Sequence, residues 1–216
     1  MNMEETTTKE KILKRVRDAL ISKMENPFKD VDSGSPVMIG IEEEKEVAFA
    51  RKLMEMGGTF IYCENEKNLG ENLKFLLDQK GWKDFFLLDK KLELLFRSLN
   101  IPFQNNPDLF NNMVAGVTRC EYLIARFGSV LVSSGLDTGR RMFVFPESHV
   151  VVAYTSQVVE ELQDALKGMR KRYQEKFPSQ MTVITGPSRT ADIEKTLVMG
   201  AHGPRELYVF VVDDED

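Results

Sequence analysis

Between residues 59 and 99 short apolar runs alternate with amphipathic stretches, and this alternation limits the possible folds more than any other feature of the chain. Thr59 to Cys63 and Phe85 to Leu88 read as strands. Between them, Asn68 to Gln79 carries Leu69, Leu73, Leu76 and Leu77 at helical spacing, and Gly81 follows. Upstream, Val37 to Ile41 is a short apolar run. Glu42 to Met56 is helical in pattern, with Val47, Ala50, Leu53 and Met54 on one face and Gly57-Gly58 as a left-handed stop. Downstream, Asp89 is placed to cap a helix carrying Leu92, Leu95, Phe96 and Leu99. Short strands without a polar face need cover on both sides. The pattern therefore predicts an α/β class: a mostly parallel sheet flanked by helices.

The second half has a different texture. Met113 to Thr118, Ser129 to Ser133, Met142 to Phe145 and Val150 to Tyr154 are strand-like, and their connections are short and rich in turn residues. Such links suit hairpins, so some antiparallel strands are expected here. A long helix is expected around Val158, Leu162, Ala165, Leu166, Met169 and Tyr173, then strands at Met181 to Thr185 and Glu206 to Val212. At the other end, Thr7 and Glu10 have capping-box spacing, and Ile12, Leu13, Val16, Ala19 and Leu20 recur at helical period. The expected organisation is a helical arm over 1–25, a Pro/Gly/Ser linker over 26–36, an α/β domain over 37–212 and a solvated acidic tail over 213–216. The arm is expected to dock on the domain or on a second subunit, which leaves a homo-oligomer open.

Apolar residues make up 42% and charged residues 29%, which suits a globular chain and excludes a disordered one. The net charge of −5 argues against bulk nucleic-acid binding and against docking on anionic lipid. Met1 to Lys14 is polar, so no signal peptide is read there, and no run approaches the roughly 20 apolar residues of a membrane span. The expected compartment is the cytoplasm. Cys63 and Cys120 are too few for a disulfide framework or a four-cysteine cluster, so two reduced thiols and no cofactor in this chain are expected.

The chemistry-bearing residues concentrate in Met181 to Gly203. An apolar run ends in Gly186-Pro187-Ser188-Arg189-Thr190, and a helix is expected to follow. A strand, a glycine turn and a helix start would gather backbone N–H groups at one point. The Arg189 guanidinium, the Ser188 and Thr190 hydroxyls, and His202 with the backbone of Gly186 and Gly203 would join them around a small carboxylate or phosphate. The same residues suit helix capping, with Asp192 and Glu194 complementing the dipole. His202, between Gly200 and Gly203, is a candidate proton carrier or oxyanion-orienting group, or a turn histidine bonded to a carbonyl. Without a second ligand it is no metal site, and no metal is expected. His149 follows Phe145-Pro146-Glu147-Ser148 at a strand entry and is a second catalytic candidate or a structural histidine. Ser133, Ser134 and Arg140, around the turn at Gly135 to Arg141, are secondary candidates for anion binding or for a solvated hairpin tip. The sequence has no nucleophile elbow, Walker loop or dinucleotide fingerprint.

The run Gly186-Pro187-Ser188-Arg189-Thr190-Ala191-Asp192-Ile193-Glu194, followed by Gly200, His202, Gly203 and Pro204 before a terminal strand, resembles the signature of the lactate utilization (LUD) domain family. Leu123 to Val130 and Phe145 to Val151 are similar to that family as well. A departure lies at Phe127, where members often carry a small hydroxyl residue before the glycine. The resemblance implies a fold like that of the ribose-phosphate isomerase, glucosamine-phosphate deaminase and CoA-transferase group. It also implies a non-redox subunit in the oxidation of L-lactate to pyruvate, with iron–sulfur clusters held by partner proteins. Two other readings stay open: a stand-alone enzyme acting on a phosphorylated or acyl-activated small molecule, and a regulatory module that binds a small carboxylate.

Overall fold

The computed structural model describes residues 7–21, 40–191, 197–200 and 202–214. The linker over 26–36, the start of the expected strand at Val37 to Ile41, and residues 192–196 of the expected helix lie outside these. The chain divides into two units, Met1–Gly40 and Ile41–Asp216. In the first, helix α1 (Thr8–Ile21) begins at the expected capping box. The Glu10 amide donates to Thr7 Oγ1 (3.3 Å), and the Thr7 amide donates to Glu10 Oε2 (2.7 Å).

The second unit is built on a six-stranded parallel sheet. Its strands are β1 (Thr59–Cys63), β2 (Phe85–Phe86), β3 (Phe103–Gln104), β4 (Ala115–Arg119), β7 (Ser148–Tyr154) and β12 (Glu206–Val212), in the order β1-β12-β7-β4-β2-β3. β12 and β7 are central, pair in register from Glu206↔Ser148 to Val212↔Tyr154, and are apolar on both faces. Val150, Val152, Tyr208, Phe210 and Val212 point to one face. There they pack against Leu69, Leu73, Leu76 and Leu77 of α3 (Glu66–Lys80) and Leu92 and Phe96 of α4 (Lys90–Ser98). Val151, Ala153, Leu207, Val209 and Val211 point to the other face and meet Ala48, Phe49 and Leu53 of α2 (Lys45–Glu55). The caps agree with the sequence. Gly57 and Gly81 have positive φ after α2 and α3, and Asp89 accepts from the amides of Lys91 and Leu92 at the start of α4.

A second, four-stranded sheet lies over the α2 face. It contains β5 (Tyr122–Ile124), β6 (Ser129–Ser133), β8 (Val158–Val159) and β9 (Met181–Ile184), ordered β8-β5-β6-β9. β6 is antiparallel to β5 and β9, and β8 is parallel to β5. Helix α5 (Leu162–Arg172) covers its outer side through Ala165 and Met169, which meet Ile124 and Leu131. The expected α/β architecture with antiparallel strands in the second half is therefore present.

Three local expectations are corrected. Met142 to Phe145 is not a strand: Arg140–Phe143 forms a 3-10 turn that buries Met142 and Phe143 and leaves Val144 and Phe145 outside. A four-residue apolar run does not separate these outcomes. The long helix does not include Val158, whose β-branched side chain and that of Val159 join the sheet edge beside Leu123 and Ile124. Finally, no helix starts at the glycine turn. β10 (Arg189–Ala191) and β11 (Leu197–Met199) form an antiparallel pair. The ladder continues outward, since Gly200 N–H donates to Ser188 C=O (3.0 Å) and Ser188 N–H to Pro204 C=O (2.8 Å). A helix start needs free amides, and here the Ser188 amide is already paired.

Two residues of the acidic tail, Asp213 and Asp214, are hydrogen-bonded to the domain. Asp214 accepts from Ser156 Oγ (2.6 Å) and Thr155 Oγ1 (2.7 Å), and Asp213 accepts from the Tyr62 hydroxyl (2.6 Å). Burial pushes the Asp214 carboxyl up, but the Ser156 and Thr155 hydrogen bonds outweigh it and hold the group below its ordinary value.

Candidate functional site

The parallel sheet has two ends, and each carries a depression. At the amino ends of the strands, Glu147, Phe145, Gly200, His202, Gly203 and Arg205 border a volume of about 590 Å³. Part of the glycine-rich motif therefore gathers here. His202 is exposed, and Gly203 lies against Ser188, so close that a Cβ at 203 would sit 3.3 Å from Ser188 Cβ. Arg205 pairs with Glu147 at 3.3 Å.

Arg189 does not join them. Its guanidinium donates to the backbone carbonyl of Met56, the C-cap of α2. A cation at a helix C-terminus is favourable and satisfies a carbonyl that the helix leaves open. Gly186 belongs to the same contact. Its φ is +75°, and a Cβ there would lie 2.5 Å from the Met56 carbonyl oxygen. Gly186 and Arg189 thus clamp the turn after α2. Thr190 lies on the backbone of β10, with its partner Val198 on β11.

His149 lies between the ends, fully buried on β7. One ring nitrogen, Nε2, is 2.8 Å from Thr118 Oγ1, while Nδ1 has no partner among the described residues. Phe143 stands beside it with ring centroids 6.3 Å apart. Burial pushes its pKa down to about 4, so the ring is neutral at pH 7.

The carboxyl ends of β4 and β7 open into a different cleft, of about 480 Å³, that the sequence reading did not assemble. Its lining includes Lys91, Arg119, Glu121, Asp137, Arg172 and Tyr173. Glu121, fully buried in the turn from β4 to β5, has both oxygens occupied. Oε1 accepts from Ser133 Oγ (2.5 Å) and Tyr173 OH (2.7 Å), and Oε2 accepts from Arg172 Nη1 (2.6 Å). Burial first, and then Glu121, push the Tyr173 hydroxyl up to about 12, so it stays a proton donor. Across the cleft Arg119 donates to Asp89 Oδ2 at 2.7 Å; Asp89, also fully buried, is the cap of α4. Gly135 lets the chain pass close to Tyr173, since a Cβ there would meet its hydroxyl at 2.7 Å. Open α/β sheets place ligands beyond the carboxyl ends of their strands, because loops and helix starts converge there.

Of the secondary candidates, Ser133 lies buried behind this cleft, where it donates to Glu121. Ser134 faces away, toward Ser179 (3.3 Å), and Arg140 is exposed on the 3-10 turn. Sequence reasoning missed Glu121, Arg119, Arg172 and Tyr173 because the first two lie far along the chain from the last two. The one available signal was Arg119-Cys120-Glu121, charged residues interrupting an otherwise apolar strand pair. Phe127 is 42% exposed and lines neither depression.

A family model described as LUD domain matches residues 47–212. The chain belongs to the LUD domain family. A lactate utilization protein C of Macrococcus caseolyticus is 24% identical over 216 residues, covering 94% of each chain. A protein of Neisseria meningitidis is 34% identical over 105 residues, 49% of this chain and 45% of its own length. Lactate utilization protein C of Bacillus subtilis is 35% identical over 101 residues, 45% of this chain and 42% of its own. The match thus spans less than half the length of the latter two relatives. A crystal structure of a DUF162 family protein from Deinococcus radiodurans has the same fold, with a TM-score of 0.58 and 16% identity over 78% of this chain and 96% of that one.

Both cysteines of this LUD domain are buried and free. Cys63 lies in the core between the parallel sheet and α3, and Cys120 lies in the core on the opposite face. Burial pushes both thiols up, Cys120 to about 12. Among the described residues no three His, Cys, Asp or Glu side chains are grouped to hold a metal, and no helix is long and apolar enough to cross a membrane.

Proposed function

We propose that this LUD domain serves in lactate utilization as a non-redox subunit of a system oxidising L-lactate to pyruvate, alongside iron–sulfur partner proteins. The observation that carries the reading is the alignment with a lactate utilization protein C over 94% of both chains. The placement of the cysteines supports the division of labour. Two thiols on opposite faces of one sheet, both held protonated by burial, are unsuited to ligating a common cluster. Electron transfer then belongs to partners, and this chain contributes substrate binding or assembly. Co-purification of the full-length chain from its native cell under anaerobic conditions tests the reading. Stoichiometric capture of cysteine-rich iron–sulfur proteins, with loss of lactate oxidation when the chain is deleted, is the expected result. A deletion strain that oxidises lactate at the wild-type rate would refute it.

A further inference from the structure

We infer that the cleft at the carboxyl ends of β4 and β7 is an oxyanion site, which takes a small carboxylate or phosphate between Arg119 and Arg172. Two guanidinium groups face one cavity, and each is held from behind by a carboxylate with no exposure to solvent: Arg119 by Asp89, and Arg172 by Glu121. Burying a carboxylate is unfavourable unless it is well paired, and two such pairs around one opening are more than sheet packing requires. Their effect is to fix the arginines while leaving them within reach of the cavity, with side chains 24% and 44% exposed.

Donors remain for a ligand. A guanidinium carries five N–H groups. Arg119 directs Nε and Nη2 at Asp89, and Arg172 directs Nη1 at Glu121. The other N–H groups have no acceptor among the described residues. The Arg172 guanidinium also stacks over the Tyr122 ring, 5.1 Å from its centroid, which fixes its plane. Lys91, in the first turn of α4, adds a cation that pairs with no carboxylate among the described residues. On the acidic side, Glu121 has both oxygens engaged, so Asp137 is the remaining carboxylate of the lining. Planar, pre-positioned forks recognise planar or tetrahedral oxyanions and lose little entropy on binding. The cavity volume falls within the range of roughly 300–1,000 Å³ typical of small-molecule sites. That leaves room for a ligand larger than lactate or for lactate beside a group from a partner.

The site rests on the geometry alone; the choice of lactate and pyruvate as probes rests on the proposed role. The test is calorimetric titration of the full chain at low ionic strength with L-lactate, pyruvate and inorganic phosphate, each at millimolar concentration. The proteins are wild type, Lys91→Glu, Arg172→Lys and His202→Ala, with melting curves for each. Lys91 is exposed, so its reversal leaves the fold intact and keeps the test valid if Arg172→Lys melts early. At least one anion should bind wild type. Its affinity should fall roughly ten- to a hundredfold in Lys91→Glu and Arg172→Lys, as for loss of one charge-assisted contact, and stay unchanged in His202→Ala. Phosphate binding without lactate or pyruvate binding would uphold the site and count against the lactate role. Lactate binding abolished by His202→Ala but untouched by Lys91→Glu would overturn the site, placing the ligand at the opposite end of the sheet, and leave the lactate role standing. Failure of all three anions to bind would overturn the inference.

Discussion

Lowering the pH should unfold this domain partly through one side chain, His149. The ring is wholly buried, its Nε2 meets Thr118 Oγ1, and Nδ1 has no partner among the described residues. Burial alone moves its pKa from 6.5 to about 4, with no charged neighbour contributing. The sign follows from proton uptake. Below 6.5 the unfolded chain binds a proton at this position while the folded chain does not, so stability falls as the pH drops toward 4 and levels off below it. The full difference, about 2.5 pKa steps at 1.36 kcal/mol each, is about 3 kcal/mol, of which about 2 kcal/mol is already lost near pH 5. That is a sizeable share of the roughly 5–15 kcal/mol that stabilises a domain. Urea unfolding of wild type and His149→Gln between about pH 7.5 and pH 5 isolates this contribution, because carboxylates that titrate in the same window affect both proteins alike. The variant should be less stable at neutral pH, with a flatter pH dependence. If the two stability curves run parallel across the window, the ring is not held neutral by burial and the reasoning fails.

Other consequences are simpler to test. Gly186→Ala forces a Cβ against the Met56 carbonyl at a left-handed φ, and thermal melting should show a loss of at least about 1–2 kcal/mol. Arg189→Ala removes the hydrogen bond to that carbonyl and should cost about 1 kcal/mol in the same assay; no change would show that the clamp is idle. Phe96→Ala opens a cavity between α4 and the sheet and should cost about 3–5 kcal/mol in denaturant unfolding. Cys63 and Cys120 should resist an aromatic disulfide reagent in the native protein and react fully once it is unfolded; fast native labelling of either would contradict its burial.

The sequence by itself determined the layered core. β1, α3, α4, β6 and β12 all lie where periodicity and caps place them, because one buried face and a capped end are local properties of a few consecutive residues. The glycine-rich motif was legible as a motif, and its family follows from it, but its shape was not. Gly186 and Arg189 answer to Met56 at the end of α2, and Ser188 answers to Gly200 and Pro204, so at Arg189–Ala191 hydrogen bonds to other segments give an antiparallel strand instead of the expected helix start. His149 was visible as a strand-entry histidine, whereas its neutrality depends on the Phe143 and Thr118 packing around it. The carboxyl-end cleft was decided by tertiary structure alone. Asp89, Arg119, Glu121, Ser133, Arg172 and Tyr173 come from α4, β4, β6 and α5 and the segments beside them. Arg119-Cys120-Glu121 hints at charge near a strand end, but the partners Asp89, Arg172 and Tyr173 become neighbours only after the helices have packed on the sheets.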